Sequence, residues 1–134
     1  GELPVAKPIL SNAVDNAYTY IRDRVTMITV CSAQPTTYAQ ANSSTGANYM
    51  LAKVAITSTG FAVAAGDAGG SARKMTSTQK TGVSVLKTGA AKFIALAGST
   101  GSVLLMVTTC TSQTITTGNT LTIPAFKHEF GDVT

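Results

Sequence analysis

The residues most able to do chemistry are few. His128 is the only histidine, and it stands beside Glu129 and near Asp132 in a chain rich in serine and threonine. A Ser/His/Asp hydrolase needs an imidazole held by a carboxylate and turned toward an exposed hydroxyl. The chain contains no Gly-x-Ser-x-Gly elbow, and in an extended strand Glu129 would point to the face opposite His128. His128 is therefore expected to be a strand residue packed beside Phe126 and Phe130, with no catalytic residue in the chain.

Metal and phosphate chemistry find no better footing. There is no histidine pair at helical spacing and no acidic calcium loop, and Cys31 and Cys110 are too few for a four-ligand zinc site. The two thiols are expected to be buried; a bridge would require neighbouring strands with Cα atoms within about 7 Å. The six acids, Glu2, Asp15, Asp23, Asp67, Glu129 and Asp132, are scattered. Gly66 to Lys74 has the glycines of a phosphate loop but lacks its Gly-Lys-Ser/Thr ending, so it reads as an ordinary loop. No cofactor and no metal site is expected, and neither is an enzyme.

What remains is the set of elements such residues would have needed. At 134 residues the chain suits one domain, and at 12% charged residues it carries about half the usual share. No apolar run approaches the roughly 20 residues of a membrane-spanning helix, so a soluble protein is expected. Pro4 and Pro8 remove backbone donors, which makes Gly1 to Leu10 read as an extended arm. Its apolar residues Leu3, Val5 and Ile9, with the two prolines, are candidate partner contacts. Asn12 can cap a short helix over about 12–23, with Val14, Ala17, Tyr18 and Ile21 on one face packed on a sheet.

Beyond the helix the periodicity changes to that of strands. Val25–Cys31, Tyr49–Ile56, Phe61–Ala65, Lys74–Thr78, Val83–Lys87, Lys92–Ala97 and Val103–Cys110 are expected strands, punctuated by glycines, with a loop formed by Pro35 and the polar run Ala41–Gly46. Gly118-Asn119 is a turn between Thr114–Thr116 and Thr120–Ile123, and Leu121 and Ile123 face inward. After Pro124 the alternation slips by one residue, as a bulge or a crossing between sheets would produce. Short strands at roughly ten-residue spacing predict a mainly β, single-domain sandwich or jelly-roll-like fold.

Charge is unevenly placed. Six basic residues lie between Lys53 and Lys92 against one acid, whereas Val25–Ala52 and Phe93–Phe126 carry no charge. A lone domain usually breaks such segments with charges that oppose edge-to-edge association, so these surfaces are expected to be covered by a partner. Arg73, Lys74 and Lys80 are the basic candidates for contact with an acidic protein surface. Nucleic-acid binding is not expected, because Phe61 is the only aromatic residue in the basic segment.

Four segments carry a resemblance when taken in order: Asn12-Ala13-Val14-Asp15-Asn16-Ala17 leading to Tyr20-Ile21, Cys31-Ser32-Ala33-Gln34-Pro35-Thr36-Thr37-Tyr38, Thr108-Thr109-Cys110-Thr111-Ser112-Gln113, and Gly118 through Phe126. Together they resemble small virion proteins of tailed bacteriophages, the minor head, decoration or cement proteins. The resemblance covers about residues 11–130 and implies a non-enzymatic component on the outer surface of the capsid, made in the host cytoplasm. Its partner would be the major capsid protein, and it would act as a homo-oligomer, a dimer or trimer. A tail or head-fibre adhesin that binds a host surface is the alternative.

Overall fold

A computed structural model describes residues 6–67 and 73–130, with side chains from Asp15 to Asp67 and from Arg73 to His128. The fold is mainly β and sandwich-like. Helix α1 spans Ala6–Arg24 and the short helix α2 spans Tyr38–Asn42. The strands are β1 (Met27–Cys31), β2 (Met50–Ala55), β3 (Phe61–Ala65), β4 (Arg73–Ser77), β5 (Lys80–Ser84), β6 (Gly89–Gly98), β7 (Val103–Ile115), β8 (Thr120–Ile123) and β9 (Lys127–Phe130).

Helix α1 begins earlier than its apolar face suggested. Pro8 and Ile9, expected in an extended arm, lie in the first turns of the helix, and Asn12 lies within it instead of capping it. The physical reason is that Pro8 is its third residue. The first N–H groups of a helix have no intrahelical acceptor, so proline removes no bond there, and its fixed φ suits the helix. Leu3, Pro4 and Val5 lie outside the described residues. Farther along, Tyr18 is buried and Ile21 packs against the core, while Ala17 is exposed. Arg22 and Arg24 occupy the last turn, where cations complement the helix dipole.

The largest sheet has the order β2-β1-β6-β7 and is antiparallel throughout. β1 lies in its interior, and its β-branched sequence has both faces covered, as the continuous apolar run predicts. Ile28 and Val30 point to one side, Thr29 and Cys31 to the other. The first side meets Phe61 and Met75 of the three-stranded sheet β3-β4-β9, Val83 and Ile123 of the two-stranded sheet β5-β8, and Tyr18 of α1. One core therefore joins the four-stranded layer to both smaller sheets and the helix. On the second side, Ala41 of α2 packs on Cys31 and Ala95, ringed by half-buried Tyr49, Phe93, Leu104 and Val107.

Helix α2 falls in the expected loop. Thr37 accepts a hydrogen bond from the Gln40 backbone N–H at 3.2 Å, and the Gln40 side-chain oxygen accepts from the Thr36 N–H at 2.8 Å. Thr37 thus caps the helix and satisfies one of its open donors, while the Gln40 side chain reaches past the cap to Thr36 and ties down the preceding residue.

The C-terminal third also differs in its pairing. β7 continues through Ile115 along β6, and β8 pairs with β5, so the Gly118 turn joins two sheets and not two paired strands. Gly118 takes φ +90°, the left-handed region that glycine adopts without a Cβ penalty. Its N–H reaches the Val85 carbonyl at 3.2 Å, and the Val85 N–H reaches the Asn119 carbonyl at 3.0 Å. Those bonds draw the turn toward β5 and away from β7. After Pro124 the chain crosses to β9 in the three-stranded sheet, which accounts for the slip in alternation.

Candidate interaction surface

His128 sits on β9 and meets Tyr18 of α1. Tyr18 Oη lies 2.9 Å from His128 Nδ1 and donates to the His128 carbonyl oxygen at 3.0 Å, with the rings edge-to-face at 5.9 Å. A phenol has one proton to give. Which of the two contacts at His128 takes it follows the tautomer of the ring. The pair thus fastens α1 to β9 across the core. This contact was not legible in the sequence, because the two residues are 110 positions apart.

The candidate basic contacts are largely engaged within the chain. Arg73 Nε donates to Asp15 Oδ1 of α1 at 2.6 Å, which fixes the helix on β4. Lys74 Nζ donates to Asp67 Oδ1 at 2.6 Å, and Lys127 Nζ of β9 donates to the other oxygen of Asp67. Lys80 stands on β5 opposite Ile123, half-buried and without an acid partner among the described residues. The structure therefore brings Arg73 and Lys74 together on β4 but commits their charge to Asp15 and Asp67. The middle segment presents less free positive charge than its composition implies.

The hydrogen bond from Lys127, then that from Lys74, holds the Asp67 carboxyl down at about 2, from an ordinary 3.8. A folded-state pKa below the unfolded value adds stability that is present above pH about 4 and is lost as pH falls toward about 2. Asp67→Asn should therefore show a shallower acid limb than the parent over that window in low-salt thermal unfolding. Added salt should bring the two curves together, since the carboxylate is exposed. Parallel limbs at low salt would mean that the lysine pairing contributes nothing.

The four-stranded sheet offers a different kind of surface. β7 is its edge strand, 13 residues long, without charge or proline. At the opposite edge, the Leu86 and Lys87 N–H groups bond to the Leu51 carbonyl of β2, and Ala52 bridges to Val85, so that edge is partly closed. The edge strands β3 and β9 of the three-stranded sheet have only 5 and 4 residues. Val103 through Thr108 are half-buried and Thr109 and Thr111 through Thr114 exposed, although Val103 to Val107 are all large apolar residues. An edge strand turns alternate N–H and C=O groups away from its sheet, and proteins usually blunt such a row with charge, proline or bulges.

β7 uses the last of these. Leu105 has no partner between the Ala97–Leu104 and Leu96–Met106 pairs, and residues 110–112 face the single Lys92. The first bulge places Leu105 and Met106 together on the core side, with Leu104 and Val107 on the other. Beside the second bulge a groove of about 630 Å³ opens between β7 and β8. Val30, Ile94, Ile115 and Leu121 line it together with Gln113 and Asn119, and no charged residue contributes.

Both thiols are free, Cys31 buried beside Thr29 and Cys110 half-buried on β7. Burial pushes both upward from the usual thiol value, so at neutral pH neither is an activated thiolate. Among the described residues no three of His, Cys, Asp and Glu come together, and no helix is long and apolar enough to cross a membrane. Compared with protein-family models, curated proteins and solved structures, the chain matches none of them.

Proposed function

We propose that this chain is a structural, non-enzymatic virion protein of a tailed bacteriophage, a decoration protein that binds the outside of the major capsid protein shell and stabilises it. The observation that carries the reading is the long, uncharged β7 edge and the half-buried apolar patch of Phe93, Leu104 and Val107 beside it. An isolated domain gains nothing by leaving such a surface in water, whereas a cement protein needs neutral area that closes against a neighbour. The four segments that resemble small virion proteins support the same reading, since two of them lie within Phe93–Phe126. Repeated attachment over a symmetric shell multiplies weak individual contacts. No cofactor takes part, and Lys80, without an acid partner among the described residues, contributes to steering toward acidic capsid surface.

The test is addition of purified protein to expanded capsids that lack it. Saturable binding and a higher capsid melting temperature are expected. Particle density placing the chain in the tail tube or baseplate would overturn the reading. The neutral groove, rimmed by Gln113, Asn119 and threonines, favours the alternative of a tail or head-fibre adhesin. An adhesin would bind host cells or glycans and leave capsid melting unchanged.

A further inference from the structure

We infer that β7 pairs antiparallel with β7 of a second copy of this chain, about a two-fold axis at Val107–Thr108, to form one continuous eight-stranded sheet. The inference bears on the virion reading, since a second copy would close the β7 edge and leave Phe93 and Leu104 of the neighbouring patch to meet the capsid.

The occupant follows from charge and symmetry. The chain carries a formal net charge of +4, so two copies repel over most approaches. Phe93 through Phe126 is free of charge, and within it β7 is the exposed edge, so there like meets like without a Coulomb penalty. An antiparallel edge is also self-complementary about a two-fold axis normal to the sheet: each outward N–H meets the carbonyl of the matching residue in the copy. A strand from a charged partner would find no counter-charge on β7.

The bulges decide where the axis lies. Leu105 and residues 110–112 bend the strand and break its ladder, leaving Met106–Thr109 as the regular stretch between them. Faces are preserved across such an axis, so it must pass through a residue position. Centred on Val107 it sets Val107 opposite its copy and Met106 opposite Thr108; centred on Thr108 it sets Val107 opposite Thr109. Either register covers the half-buried Val107.

Size sets the strength. Centred on Val107 or Thr108, the two strands overlap over residues 103–111 or 103–113, about 31 or about 37 Å at about 3.4 Å per residue, and a strip one layer spacing (about 10 Å) wide covers about 310–370 Å² per copy. That is less than half of the roughly 800 Å² per partner of a standard stable interface. The dimer is therefore a reversible one, in the micromolar range or weaker.

Sedimentation velocity of the full chain from about 5 to about 500 µM should show a reversible monomer–dimer equilibrium. Thr109→Lys changes an exposed residue and sets the two ammonium groups two positions apart in the Thr108 register and four apart in the Val107 register; it should weaken dimerisation about tenfold in the first and less in the second. Thr114→Lys, equally exposed on β7 but beyond the second bulge, should change it by less than about twofold. In a Cys110→Ser background, Val107→Cys or Thr108→Cys should form a disulfide-linked dimer on oxidation, and Thr114→Cys should not. A chain that stays monomeric throughout the range would overturn the inference. So would a dimer that is indifferent to Thr109→Lys and is cross-linked by neither central cysteine, because its contact would then lie elsewhere. If Thr109→Lys loses its fold, the cysteine variants decide.

Discussion

Replacing Tyr18 with alanine is expected to lower the unfolding free energy by about 4 kcal/mol, the cost of emptying a large aromatic site in a core that cannot collapse onto it. Tyr18 is 1% exposed and, among the described side chains of α1, is the one that reaches the shared core and also hydrogen-bonds across it. Two effects add in the alanine variant: lost packing against the three-stranded sheet, and loss of the phenol that His128 meets at Nδ1 and at its carbonyl oxygen. Tyr18→Phe separates them, since it keeps the ring and removes the hydroxyl, and should cost about 1–2 kcal/mol. Urea unfolding of the two variants measures both quantities. Equal losses would mean that the hydroxyl carries the whole contribution, and a loss below about 1 kcal/mol in the alanine variant would mean that α1 is not part of the cooperative unit.

Gly98→Ala is the second large effect, expected at about 3 kcal/mol, the upper end of overpacking costs. Gly98 ends β6 where the chain leaving α1 crosses it. The Thr26 N–H bonds to the Ala97 carbonyl at 2.9 Å, and the Ser99 N–H bonds to Thr26 Oγ1 at 3.0 Å. These bonds pull the Arg24 carbonyl so close to Gly98 that a Cβ would overlap its oxygen, with Val103 Cγ2 at 3.2 Å on another side. Because the obstacle is backbone held at two points, it cannot swing aside as a side-chain tip would. Gly118→Ala is the comparison: no atom lies within 4 Å of its added Cβ, so its cost is the left-handed backbone alone, about 1 kcal/mol. Thermal or urea unfolding should rank Gly98→Ala well above Gly118→Ala. The opposite order would show that the crossing relaxes at no cost.

The two effects mark the boundary between what was readable along the chain and what was not. Periodicity alone placed Tyr18 and Ile21 on a helix face, a buried strand over Val25–Cys31 that the fold trims to Met27–Cys31, inward Leu121 and Ile123, and a slip at Pro124 that the fold resolves as a change of sheet. Each is a local pattern, visible because side chains repeat every 3.6 or 2 residues. The Thr37 cap was equally local, yet α2 was missed because its five residues are too few to show a period. The early start of α1 was hidden by Pro8, which reads as a breaker everywhere except in a first turn.

Tertiary structure alone decided pairing and charge. Whether β8 joined β7 or β5 turned on backbone bonds between Val85 and the Gly118–Asn119 turn, and backbone groups carry no sequence signature. Arg73 and Lys74 looked available for a partner because Asp15 lies 58 residues from the one and Asp67 only becomes shared when β9 brings Lys127 to it. Composition showed that Phe93–Phe126 had no charge to keep a neighbour away. Only the fold showed that, among the described residues, the part left at an edge is β7, because an edge is set by which strands pair and not by any one strand's sequence.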